Sequence, residues 1–86
     1  MSTLTQLNRE SAARGHGPDE FFKLGMMCST GQSTAIDMVA AHKWFNLAAL
    51  RGFTDAIRLR NEVAAEMSAA EIAAAQRAAR AWLTKH

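Results

Sequence analysis

Between Leu24 and Gly52 the chain reads LGMMCSTGQSTAIDMVAAHKWFNLAALRG. Leu24-Gly25, Gly31, Asp37, Ala41, Trp44-Phe45, Ala48-Ala49 and Gly52 fall at the spacing of a helix, a turn and a second helix. Gly25 and the alanines leave room for two helices to approach closely, and Trp44 with Phe45 supplies the bulk that fills the space between them. A hairpin of this kind cannot bury its own apolar face and must be stacked on neighbours. The pattern points to a binding scaffold rather than to a catalytic centre.

Working outward, Pro18 suits a first helical turn, Asp19 and Glu20 suit its positive end, and Phe21, Leu24, Gly25 and Cys28 form an i, i+3, i+4, i+7 stripe. This predicts a helix over 18–29. Asp37 is the N-cap of the next helix, which carries Ala41, Trp44, Phe45, Ala48 and Ala49 inward, runs to Arg51 and stops at Gly52. Thr54 is placed to cap a further helix ending near Met67, with Ala56, Leu59, Val63 and Met67 on its inner face and Arg58 and Glu62 as an i, i+4 pair. Ser68-Ala69-Ala70-Glu71 has the form of a capping box. The helix it opens should turn Ile72, Ala75, Ala79, Trp82 and Leu83 inward, with Trp82 and Leu83 buried against the preceding helix. A short first helix over 3–14, broken by Gly15-His16-Gly17, completes an all-α expectation of about five helices. No run alternates with the period of two that a strand requires.

The chain has 86 residues, 49% of them apolar, and a formal charge of +2. That size supports one small domain, and much of the apolar content is alanine, which favours thin, closely packed helices. The charge excess is too small to imply nucleic acid. Charges at Asp19, Glu20, Asp37, Asp55 and Glu71 open helices, and Arg51 and Lys85 close them, as the helix dipole favours. Neither a secretory h-region nor an apolar run of membrane-spanning length occurs, so a cytoplasmic protein is expected. One cysteine, Cys28, has no partner for an internal disulfide or a thiolate metal motif.

The order Leu24-Gly25, Cys28, Gly31, Asp37, Ala41, Trp44-Phe45, Ala48-Ala49 and Gly52 resembles the Sel-one-like repeat (SLR), a relative of the tetratricopeptide repeat. One full unit corresponds, from about 19 to 53. Cys28 stands where that family usually has tyrosine, Ser33 where it has a second loop glycine, and Glu20 where it has alanine. Asp19 and Asp55 both open a helix after a glycine-containing junction, 36 residues apart, near the ~34-residue period of tetratricopeptide repeats. At that offset Asn8-Arg9 falls on Trp44-Phe45, and aligning Ala79 with Ala48 puts Ala75-Gln76 there. The resemblance implies a short α/α solenoid of stacked antiparallel hairpins, a single domain over 1–86 in which capping helices over 3–14 and 54–84 flank the central unit. It also implies protein–protein scaffolding through a groove formed by successive first helices.

No His–x3–His, Cys–x2–Cys, phosphate-binding loop or nucleophile elbow is present, so no catalytic residue, metal ligand or cofactor is assigned. His16 reads as a turn residue, His42 as solvated or partly packed, His86 as terminal, and Cys28 as a small buried hydrophobe. The partner-binding candidates are Phe22, Met26, Met27 and Arg58. Flexible thioethers conform to a partner helix or peptide, although Phe22 and Met26 also suit core packing against a flanking helix. Trp82 and Leu83, if exposed, would offer a patch to a second copy. The alternative function is nucleic-acid binding through Arg51, Arg58, Arg60, Arg77 and Arg80, which the interspersed Glu62, Glu66 and Glu71 oppose.

Overall fold

The computed structural model describes residues 17–32 and 35–85. Over these the chain forms four helices and no strand: α1 (Pro18–Thr30), α2 (Met38–Leu50), α3 (Asp55–Ala64) and α4 (Ala69–Lys85). The helix expected over 3–14 lies outside the described residues. Among those described, no helix is long and apolar enough to cross a membrane.

Local chemistry sets most of the boundaries. Pro18 occupies the first turn of α1 with Asp19 and Glu20 beside it, and α1 closes on Gly31, whose φ of 80° is left-handed and whose N–H donates to Met27 O. Asp37 caps α2 by accepting from the Ala40 N–H at 3.0 Å. At the other end Gly52, with φ 100°, donates to Ala49 O, and Phe53 donates to Ala48 O. These paired bonds are a Schellman motif, which only a residue tolerant of positive φ completes without strain.

Two boundaries depart from the sequence reading. Thr54 already has helical φ and ψ and its side chain makes no capping bond, so α3 begins on backbone turns closed by Phe53 O and Thr54 O. Its regular part stops at Ala64, three residues before Met67, because Glu66 and Met67 donate to Val63 O and Ala64 O in tight i→i+3 bonds. The tightening delivers Ser68 to the start of α4, where the capping box is complete. Ser68 N–H donates to Glu71 Oε1 at 2.8 Å and Glu71 N–H to Ser68 Oγ at 3.1 Å.

Helix α2 is the centre, packing against α1, α3 and α4. Its buried residues Ala41, His42, Phe45, Leu47 and Ala48 spread around much of the helix, as expected of an element with partners on several sides. Phe45 is 1% exposed and lies directly over Gly25. Two aromatic groups flank this contact. Phe22 stacks on Phe53 at 4.4 Å and tilts against Phe45 at 5.8 Å; Phe21 stacks on Trp44 at 5.8 Å and meets Trp82 edge-on at 5.1 Å.

Trp82 meets Phe21 of α1 and Trp44 of α2 edge-on, and α4 itself lies on α2. Ala75 and Ala79 make the inner face of α4, and Leu83 turns outward with 38% of its surface exposed. Leu83 follows the indole by one residue, which on a helix directs the two side chains about 100° apart. With Trp82 engaged in the core, the two do not form a shared exposed patch.

The Gly25–Phe45 approach has a direct test. A Cβ at residue 25 would lie 2.5 Å from Phe45 Cε1 and 2.6 Å from Cδ1, far inside van der Waals contact. Gly25→Ala should cost about 1–3 kcal/mol by overpacking, outweighing the ~1 kcal/mol that alanine gains over glycine within a helix. In urea titrations, Phe45→Leu added to Gly25→Ala should recover part of that loss. Strict additivity of the two changes would disprove the contact.

Candidate functional site

The ends of three helices leave an open groove of about 250 Å³. The last turns of α1 contribute Met26, Ser29 and Thr30; α2 contributes Met38 and, as the floor, Phe45; α3 contributes Leu59, Glu62 and Val63, with Glu66 from the following turn. The lining is mostly apolar, and its hydroxyls are already engaged. Ser29 Oγ and Thr30 Oγ1 donate to Met26 O at 3.2 and 2.7 Å, a common use of these side chains in a last helical turn. The carboxylates stand apart from this network. Glu62 Oε2 pairs with Arg58 Nη1 at 3.1 Å with both side chains largely exposed, whereas Glu66 makes no ion pair among the described residues.

Of the partner-binding candidates, Met26 lines the groove and Arg58 reaches its rim through Glu62. Phe22 is held between Phe53 and Phe45, and Met27 is half-buried outside the lining. Met38, Ser29, Thr30, Glu62 and Glu66 are contributors that periodicity does not reveal. Each is an ordinary helix-end residue until the fold brings those ends together.

The arginines considered for nucleic acid are divided between internal uses and the surface. Arg58 is paired with Glu62, Arg60 Nη1 donates to Asn46 Oδ1 at 2.9 Å, and the Arg51 guanidinium lies 5.9 Å from the Phe21 ring. Arg77 and Arg80 are exposed on α4.

Cys28 is half-buried. Burial, reinforced by the Asp37 carboxylate and opposed by Lys43, pushes its thiol above the ordinary range. A thiol so placed stays protonated at neutral pH and is a weak nucleophile. No group of three or more His, Cys, Asp or Glu side chains among the described residues is arranged to hold a metal ion.

His42 differs most from the sequence reading. It is 3% exposed rather than solvated or partly packed, and its Nδ1 is buried without a hydrogen-bond partner among the described residues. Burial, and secondarily the Arg60 cation, hold its pKa below the ordinary value of 6.5. The unfolded chain thus takes up a proton that the folded chain refuses. The stabilisation is fully present above the unfolded pKa and declines as pH falls through and below that value.

His42→Leu should leave neutral-pH stability unchanged or raised, since no bond to Nδ1 is lost. It should also make the fall in Tm between neutral and mildly acidic pH shallower. Parallel melting curves of the two proteins across that range provide the check, and identical pH profiles would refute the assignment.

No protein-family model, curated protein or solved structure matches this chain.

Proposed function

We propose that this chain is a non-enzymatic protein–protein interaction module of the Sel-one-like repeat type, a short α/α solenoid that holds a segment of a partner protein in the groove. In this reading α1 and α2 form the full repeat, and α3 and α4 form the hairpin that follows. The groove then lies between the first helices of two successive hairpins, over the Phe45 ring of the intervening second helix. The resemblance of the Leu24–Gly52 residues to that repeat supports this assignment, and so does the use of Gly25 as the seat of Phe45.

The observation that carries the proposal is the open groove itself. At about 250 Å³ it falls below the roughly 300–1,000 Å³ of sites that enclose a drug-sized molecule. It accommodates one or two side chains from a peptide. Met26 and Met38, both in the lining, suit that use, because unbranched thioethers repack around different partner side chains at little cost.

A photo-crosslinking side chain placed at Thr30, on the rim, should yield discrete protein adducts in the native cell. The same group at Arg77, exposed on α4, should yield none of those adducts. Equal patterns from the two positions, or no adduct from Thr30, would remove the groove as the working surface.

A further inference from the structure

The geometry points to a cationic partner: the groove takes a peptide segment presenting an apolar anchor side chain with a lysine or arginine within one helical turn of it. This rests on the groove being the binding surface, as proposed above, and adds the chemistry of what enters.

Charge complementarity favours a cation at this groove. The charged side chains that line the groove are carboxylates, Glu62 and Glu66. Glu62 lies in the last turn of α3 and Glu66 in the tight turn that follows it, and both line the same groove. Both α1 and α3 end at the groove, and neither carries a basic residue in its last turn. The partial negative charge of each C-terminus is therefore uncompensated by its own helix.

The opposing charges nearby are already committed. The N-terminus of α2 is capped by Asp37. Arg58 is paired with Glu62 in an exposed bridge, which an incoming cation can share at little cost. Lys43 Nζ sits 4.0 Å over the Trp44 ring. The end of α3 and the turn after it thus set two carboxylates beside an apolar floor in a chain whose overall charge is +2, so net attraction of cations by the whole molecule does not account for the preference.

The test is selection of short random peptides displayed on phage against the full chain, with counter-selection against Thr30→Trp, which fills the groove from an exposed position. The enriched pool should combine an aliphatic or aromatic residue with net positive charge. Individual peptides should lose affinity about three- to tenfold on Glu62→Gln with Glu66→Gln, the scale of two exposed charge pairs. Both substitutions are isosteric and exposed, and a far-UV spectrum checks that the fold is kept.

Peptides that are lost with Thr30→Trp but are neutral or acidic, or are indifferent to the paired glutamines, would overturn the charge inference while leaving the groove as the binding surface. No enrichment over the counter-selection, or peptides that bind Thr30→Trp equally well, would overturn both.

Discussion

The absence of a single side chain at residue 25 governs how the rest of the molecule comes together. Without a Cβ there, the Phe45 ring rests directly against the backbone of α1, in space that a Cβ would otherwise occupy. Phe22 on α1 then reaches Phe45 and Phe53, while Phe21, its sequence neighbour, reaches Trp44 on an adjacent face. The second group extends to Trp82 and so ties α4 to both helices. One close approach therefore brings together two aromatic groups that draw on all the helices except α3, and Phe53 leads directly into that one.

What could be read from sequence follows from how far each controlling interaction reaches along the chain. The cap at Asp37, the reciprocal bonds of Ser68 with Glu71, the Gly52 turn and the Arg58–Glu62 pair all act within five residues, and each stands where residue chemistry puts it. The inner positions Phe21, Gly25, Ala41, Phe45, Ala48, Ala56, Val63, Ala75 and Ala79 also follow from periodicity. Helix α2 exceeds that logic because a stripe presupposes one buried face. With three helices packed around it, Leu47 and His42 are buried as well. Of the groove lining, Phe45, Leu59 and Val63 follow from periodicity and Met26 from its flexible thioether, whereas Ser29, Thr30, Met38, Glu62 and Glu66 meet only through the tertiary crossing of helix ends.

Burying His42 on the central helix has a cost that its surroundings only partly offset. The adjoining Asn46–Arg60 bond joins α2 to α3 across fourteen residues of sequence and satisfies an amide that would otherwise compete with the packing. Nothing comparable serves Nδ1 of His42 among the described residues. An unsatisfied buried nitrogen is worth about 1–3 kcal/mol of lost stability, a considerable amount for a domain this small. The imidazole thus marks where the all-round burial of α2 conflicts with the polar side chain it carries.

The same arrangement explains why one side remains open among the described residues. Had α4 folded back along α3, it could have covered Met26, Met38 and Leu59. Instead the tight turn at residues 65–67 and the capping box behind it send α4 onto α2, where Trp82 finds Phe21 and Trp44. No residue of α4 lines the groove. The indole and alanines that anchor α4 thereby withdraw its apolar surface from the end of the molecule where α1 and α3 terminate. That end keeps a floor made by Phe45, walls of thioether and aliphatic carbon, and a rim of carboxylates. The packing that closes the core on one side thus leaves, on the other, a surface of limited volume and defined charge.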